Sequence, residues 1–124
     1  MMVLDTNVFI DFLRGYPPAV AFFKTLQKRD DVFFSTLTEA ELLTCTANKD
    51  QQVRERLLHF IHCFQDVAPD HSIAVRAGDL RRTFDLLVPD ALIAATALGL
   101  RAELVTRNLS DFKKVPELRI RAPY

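Results

Sequence analysis

Four acidic residues stand where an apolar run of the sequence gives way to a helical pattern or a turn. They are Asp5, Glu41, Asp90 and Asp111. In open α/β sheets, ligands bind in the crevice outside the carboxyl ends of the strands, where such junctions lie. Oxygen ligands favour Mg²⁺ or Mn²⁺ over Zn²⁺. The pattern therefore predicts a carboxylate-lined site for a divalent cation.

The chemistry expected of such a site is phosphodiester hydrolysis. Two unit charges about 4 Å apart repel by roughly 4 kcal/mol at an effective dielectric constant near 20, and a divalent cation offsets that repulsion. Mg²⁺ in proteins commonly sits between a few carboxylates and substrate phosphates, where it can activate a water molecule. Thr6 and Thr106 stand beside two of the acids and could hold them by hydrogen bonds, although a plain structural role is equally open.

Helix capping is the alternative interpretation of the same acids. Thr38 and Glu41 have the spacing of a capping box, and Asp5, Asp90 and the pair Asn108 and Asp111 could each begin a helix. Asp5 follows a buried strand, where an unpaired carboxylate is costly. One shared site explains the four positions more simply than four separate caps.

Short apolar strands alternate with helical patterns along the chain. Strands are predicted at residues 1–4, 32–35, around 67, 103–106 and 118–120, and helices after Asp5, after Pro18, at 38–47, 53–64, 73–87 and 90–98. Pro89 is expected to end the helix that precedes it, and Gly99 the one that follows. Apolar rather than alternating strands indicate an α/β fold with a parallel sheet covered on both faces.

Composition places few further limits on the function. The 124 residues are 49% hydrophobic and carry 16 basic and 16 acidic side chains, which suits one domain over residues 1–124 and gives no global sign of nucleic-acid binding. No apolar run approaches the roughly 18 residues of a membrane span, and the start lacks the features of a secretory signal, so a cytoplasmic protein is expected. Cys45 and Cys63 are expected to be two buried thiols rather than a disulfide, although the sequence leaves one bridge open.

Four sequence motifs occur along the chain in the same order as in a known family, and they give the chain a resemblance to that family. They are residues 4–11 (LDTNVFID), 35–42 (STLTEAEL), 89–97 (PDALIAATA) and 105–112 (VTRNLSDF). Together they resemble a PIN domain, and within that group the VapC ribonuclease toxins of toxin–antitoxin pairs, over essentially the whole chain. The resemblance implies a PIN-like three-layer α/β/α fold with a central parallel sheet.

The resemblance also implies an activity and its partners. It implies Mg²⁺- or Mn²⁺-dependent endonucleolytic cleavage of RNA, with Asp5, Glu41, Asp90 and Asp111 as catalytic and metal-binding residues. Glu41 is preferred over Glu39 because it directly precedes Leu42, as in the family pattern. A homodimer and a VapB-type antitoxin whose tail lies over the active-site groove are implied as well. Residues 84–88 (FDLLV) depart from the glycine-containing turn of many relatives.

Two other groups of residues invite functional interpretations. Six basic residues could contact RNA phosphates or could be ordinary surface charges: Arg76, Arg81, Arg82, Arg107, Lys113 and Lys114. Cys45, His59, His62 and Cys63 fit no common zinc-site spacing, so a structural zinc is not favoured.

Two alternative functions remain open from the sequence. One is a PIN-like module that has lost catalysis and only binds a partner. The other is a receiver-type phosphoacceptor, against which the spread of the acids over four junctions argues.

Overall fold

Seven helices surround a five-stranded sheet in the computed structural model, which describes residues 1–124. The strands are β1 (Met2–Leu4), β2 (Val32–Ser35), β3 (Gln65–Val67), β4 (Glu103–Val105) and β5 (Ile120–Arg121). The helices are α1 (Thr6–Leu13), α2 (Pro17–Leu26), α3 (Thr36–Leu43), α4 (Gln51–Ile61), α5 (His71–Phe84), α6 (Val88–Leu100) and α7 (Leu109–Phe112), with a 3₁₀ turn at Thr46–Lys49.

The sheet is entirely parallel, in the order β3-β2-β1-β4-β5. Strand β1 is central, with Met2 opposite Val32 of β2 and Leu4 opposite Val105 of β4. Receiver-type domains have the order 2-1-3-4-5. The observed order therefore excludes the receiver alternative.

Side chains of β1 alternate between two hydrophobic cores, one on each face of the sheet. Val3 packs into the core beneath α5, α6 and α7, whereas Met2 and Leu4 pack into the core beneath α1 to α4. This alternation follows from the two-residue period of a strand. Because both faces are covered, the strand is apolar throughout, and the predicted three-layer α/β/α fold is confirmed.

The connection between α5 and α6 differs from the sequence prediction. Helix α5 ends at Phe84, and Asp85 takes a left-handed conformation (φ 56°) whose amide donates to the carbonyl of Arg81 at 2.9 Å. Pro89 lies in the first turn of α6, where its missing N–H is not needed, so it begins a helix rather than ending one. Gly99 lies inside α6, which continues to Leu100.

Helix α3 also differs from its predicted span of residues 38–47. It begins at Thr36, with the Ser35 hydroxyl accepting the amide of Leu37 at 3.2 Å, and ends at Leu43, before the 3₁₀ turn. Both cysteines lie in exposed positions and are free, so the expectation of buried thiols is wrong.

No single helix is long and apolar enough to cross a membrane; α5 and α6 reach that length and composition only when taken together, and they are bent by 119°.

Candidate active site

The four predicted acids lie at the carboxyl edge of the sheet. Asp5 directly follows β1, and its amide donates to the carbonyl of Val105 at the end of β4, at 3.0 Å. Glu41 lies on α3, which follows β2 without a loop, and Asp111 lies on α7 after β4. Asp90 enters this edge from the first turn of α6.

Asp5 is buried and fully engaged in hydrogen bonds. Its Oδ1 accepts the amide of Thr6 at 2.8 Å, and its Oδ2 accepts the hydroxyl of Thr106 at 2.7 Å and the Asn7 amide at 3.3 Å. The first contact caps α1, so the capping interpretation holds for Asp5. The hydrogen bond from Thr106 ties the same carboxylate to the end of β4, and helix capping alone does not require that link.

Burial and neighbouring charge make Asp5 difficult to ionise. Removal from water, with a smaller contribution from the charges of Asp90 and Glu41, raises the pKa of its carboxyl to about 6, against the hydrogen bonds from Thr106 and Thr6. A metal-free Asp5 is therefore partly protonated near neutral pH.

Glu41 points towards Asp5 rather than serving as part of a cap. Its Oε1 accepts the hydroxyl of Thr6 at 2.8 Å, and that hydroxyl lies 3.0 Å from the hydroxyl of Thr38. The capping-box interpretation of Thr38 and Glu41 is wrong, because α3 begins at Thr36 with Ser35 as its cap. Glu39 instead pairs with His62 at 3.1 Å.

Asp90 and Asp111 complete the acidic edge. Leu87 occupies the N-cap position of α6 and no side chain caps that helix, so Asp90 is not a cap. Partial burial raises the pKa of Asp90, as do the charges of Asp111 and Glu41, while Lys114 opposes the rise. Asp111 is held by the Asn108 side-chain amide at 2.6 Å.

The four carboxylates are thus coupled through their charges without forming a closed ligand cage. Asp5 is influenced by Asp90 and Glu41, and Asp90 by Asp111 and Glu41. No three His, Cys, Asp or Glu side chains of the chain are grouped closely enough to hold a metal ion directly.

A second set of polar residues at this edge went unassigned in the sequence analysis. Asn7 donates to Asp5 and, at 3.4 Å, to Thr106, and its Oδ1 accepts the backbone amide of Arg107 at 3.3 Å. Asn7 stands beside Asp5 in its motif, which is the signal that could have found it. No sequence signal links Asp11 to Tyr124, which donates a hydrogen bond to it across 113 positions.

An apolar groove of about 720 Å³ runs beside the acidic edge, between α1, α3 and α4. Ile10, Phe12, Leu42 and Phe60 are among its mainly apolar lining, and Glu41 forms part of its wall. The groove therefore joins an apolar surface to the acidic site.

Fold and site together define a class: a three-layer parallel α/β/α domain with four acids at the carboxyl edge of its sheet. The family model described as "PIN domain" matches residues 2–118, and the chain belongs to that family, in its VapC branch.

Relatives of known name support this assignment. The chain is 30% identical over 131 residues to Ribonuclease VapC19 of Mycobacterium tuberculosis (strain ATCC 25618 / H37Rv), covering 96% of this chain and 98% of that protein. A toxin-antitoxin complex from Klebsiella pneumoniae contains a chain 31% identical, with a TM-score of 0.82 and coverage of 100% and 98%. FitAcB from Neisseria gonorrhoeae is 28% identical, with a TM-score of 0.84 and coverage of 99% and 98%.

Proposed function

We propose that this chain, as a single domain over residues 1–124, is a metal-dependent endoribonuclease and the toxin of a type II toxin–antitoxin pair. The observation that carries the proposal is the convergence of four acids, electrostatically coupled, at one edge of a parallel sheet. Relatives named as ribonucleases share the family and nearly the full length. RNA is accordingly the proposed substrate, and a cytoplasmic location follows from that substrate.

The donor set at this edge fits Mg²⁺ or Mn²⁺. Asp5, Glu41, Asp90 and Asp111 would hold the ion with their carboxylate oxygens, in part through its bound waters, and the raised pKa values of Asp5 and Asp90 mark a place where added positive charge is favourable. Because Mg²⁺ usually keeps several of its waters, it does not need a closed cage of protein ligands. When bound, the ion would activate a water molecule and stabilise charge on the scissile phosphate.

The surrounding residues orient the acids. Thr106 and Asn7 fix the Oδ2 of Asp5, and Asn108 fixes Asp111. Thr6 fixes the Oε1 of Glu41. Such hydrogen bonds to ligating carboxylates set their direction and basicity.

A VapB-type antitoxin is the proposed inhibitory partner, and a second copy of the chain the proposed dimer partner. The groove between α1, α3 and α4 offers an apolar surface on which an antitoxin tail could bind. Glu41 is part of its wall, so a tail bound in the groove could reach the acidic edge. Val75, Leu87 and Val88 are large apolar side chains exposed on and between α5 and α6, and they suit a contact between two copies.

A cleavage assay on total cellular RNA tests the activity. The purified chain should produce discrete fragments with Mg²⁺ or Mn²⁺ and none with chelator. Asp5→Ala and Asp90→Ala should abolish the fragments, whereas Asp79→Ala, an exposed acid on α5, should cleave as the unaltered chain does. Asp111→Asn should show the smallest loss among the four acids. Circular dichroism of each variant separates lost chemistry from lost fold.

Two results would contradict the proposal. Cleavage that persists in chelator or in Asp5→Ala would remove the metal-binding role from this edge. A folded chain that binds RNA but cuts none with any divalent ion would favour the catalytically silent binding module.

A further inference from the structure

A hydrogen-bonded chain of three residues leads away from the acidic edge along α1. The carboxylate of Asp11 accepts a hydrogen bond from Arg107 Nη1 on Oδ1 at 2.8 Å and one from the Tyr124 hydroxyl on Oδ2. Asp11 is buried, with a side chain only 8% exposed, while the Arg107 side chain is 53% exposed. A buried acid thus holds one nitrogen of the guanidinium, while about half of the arginine side chain is exposed to solvent.

The backbone of Arg107 is linked to the acidic site as well. Arg107 directly follows Thr106, whose hydroxyl donates to Asp5. The backbone amide of Arg107 donates to Asn7, and the side chain of Asn7 donates to Asp5. Asn7 and Asp11 are four residues apart on α1, a rise of about 6 Å and just over one turn. The guanidinium therefore lies about one helical turn from the support of Asp5.

Most of the hydrogen-bonding capacity of Arg107 is unused. A guanidinium carries five N–H donors in a planar fork that matches a phosphate, and a single one of them is bonded in this structure. Two other basic side chains near the edge are engaged differently: Arg81 donates to the carbonyl of Leu86, and Lys114 lies 3.9 Å from Asp111. Arg107 presents a largely free guanidinium fork about one helical turn from the support of Asp5.

Tyr124 is suited to holding this arrangement. Its ring packs edge-on against Tyr16 and Phe22, with centroid separations of 5.6 and 6.3 Å. Burial and the hydrogen bond to Asp11 raise the pKa of its phenol above the ordinary value, so the hydroxyl keeps its proton and donates it. With Oδ2 occupied by Tyr124, Asp11 offers Oδ1 to Arg107.

We propose that Arg107 binds a backbone phosphate of the RNA next to the scissile one, and that Asp11 and Tyr124 are positioning residues for it. The inference rests on the proposed ribonuclease function. It assigns substrate binding to an arginine outside the acidic quartet, held from the far end of the sequence.

Salt-dependent RNA binding tests the proposal. A labelled single-stranded RNA is titrated with the full chain carrying Asp90→Asn, in Mg²⁺, so that it is bound but not cut. Arg107→Ala in this background should weaken binding about tenfold. It should also make the plot of log affinity against log salt shallower by about 0.7, the value for one phosphate contact on a single strand. Arg107→Lys should keep the slope and lose part of the affinity, because the fork is lost but the charge remains.

The matched control is Arg29→Ala. Arg29 is a similarly exposed arginine paired with Asp31 at 2.8 Å, but the pair precedes β2 and so lies at the opposite edge of the sheet. Its loss should change the affinity by less than about twofold, because solvent screens exposed charges beyond about 10 Å. Equal weakening by the two substitutions would overturn the proposal.

Tyr124→Phe separates positioning from simple stabilisation. It keeps the ring and removes the hydroxyl, so it should weaken binding when Arg107 is present and add nothing in an Arg107→Ala chain. A lower thermal midpoint with unchanged affinity and salt slope would show a structural tie alone and would overturn the positioning role. If the unaltered chain bound RNA but never cut it, the proposed ribonuclease function would be contradicted. The comparison of RNA affinity with and without Arg107→Ala would still decide the present inference.

Discussion

The two oxygens of Asp5 have different partners, and each partner explains a different property of the residue. Oδ1 caps α1 through the Thr6 amide, which fixes the backbone where β1 becomes a helix. Oδ2 accepts Thr106, which comes from the neighbouring strand. The Asp5 carboxylate thus caps the start of α1 and links it to the end of β4. Asp5 is also the most buried acid of the proposed quartet.

Thr106→Val should impair cleavage with little loss of fold. The substitution keeps the shape of this fully buried side chain and removes the hydroxyl that orients Asp5. Loss of such a supporting contact typically costs 10- to 100-fold in metal affinity or activity, and we expect a loss of about that size. Steady-state cleavage at several Mg²⁺ concentrations measures it.

Thr106→Ser is the matched variant, because it restores the hydroxyl without the methyl group. It should recover most of the activity. If Thr106→Val and Thr106→Ser were equally impaired, packing rather than the hydrogen bond would be the cause.

The stability of the metal-free chain should fall as the pH rises from about 4 to about 6. The pKa of Asp5 is raised in the folded state from 3.8 to about 6, so the unfolded chain releases this proton first and folding stability is lost across that interval. The loss from Asp5 is up to about 3 kcal/mol. Urea unfolding at a series of pH values in chelator measures it.

Asp5→Asn is the control for this pH dependence. The decline in stability of this variant between pH 4 and 6 should be smaller than that of the unaltered chain, with the part due to Asp90 remaining. Asp31, whose pKa is lowered by Arg29, has the opposite effect on stability: its contribution is lost as the pH falls, and this happens below the interval from pH 4 to pH 6. An identical decline in both chains would rule out Asp5 as the source.

At the scale of elements, the turn between α5 and α6 places Asp90 at the acidic edge. Asp85 ends α5 in a left-handed conformation that suits glycine, and Arg81 donates from its side chain to the carbonyl of Leu86 at 2.6 Å. Residues 84–88 contain no glycine, and the left-handed position is taken by an aspartate, one of the few residues that adopt this conformation readily.

Asp85→Val should destabilise the chain by about 1–2 kcal/mol, because a branched side chain is strained at positive φ. Asp85→Gly should be close to neutral, since its conformational freedom removes strain but costs entropy on folding. Chemical denaturation of the two variants measures the difference. Equal stability of the two would mean that the turn does not depend on the left-handed residue.

At the scale of the whole molecule, the two cores share one thin sheet. Phe9 is fully buried in the core on the α1 to α4 side, with ring centroids of Phe23, Phe34, Phe60 and Phe64 between 5.5 and 6.2 Å away. Helix α1 thereby packs through its middle on this core and presents Asp5, Asn7 and Asp11 along its sheet-edge side. The site is held in place by the packing of that helix.

Phe9→Ala should cost about 3–5 kcal/mol, the usual range for removing a buried phenylalanine. Arg54→Ala, at an exposed position of α4, should stay within about 0.5 kcal/mol of the unaltered chain. Thermal or urea unfolding measures both. A cost below 1 kcal/mol for Phe9→Ala would show that the aromatic cluster collapses around the gap.

The sequence alone determined the approximate positions of the strands, the parallel α/β/α architecture and the choice of the four candidate acids. Short apolar strands and helical periodicity are local signals, and a parallel sheet brings strand ends to one edge whatever the details of packing. Residues 32–35 were predicted as a strand and form β2 with the same bounds. The family motifs, which span the same junctions, predicted the PIN domain that the family model confirms.

Tertiary structure decided which helices begin or end at particular residues and which side chains support the acids. Pro89 is compatible with the position after a helix and with the first turn of a helix. The structure shows the second: Asp85 ends α5 in a left-handed conformation, and Leu87 is the N-cap of α6. The contacts of Thr106 with Asp5 and of Tyr124 with Asp11 join residues 101 and 113 positions apart. Such pairs leave no periodic trace in a single sequence, because a hydrogen bond between distant segments depends on the folded path of the chain and not on local spacing.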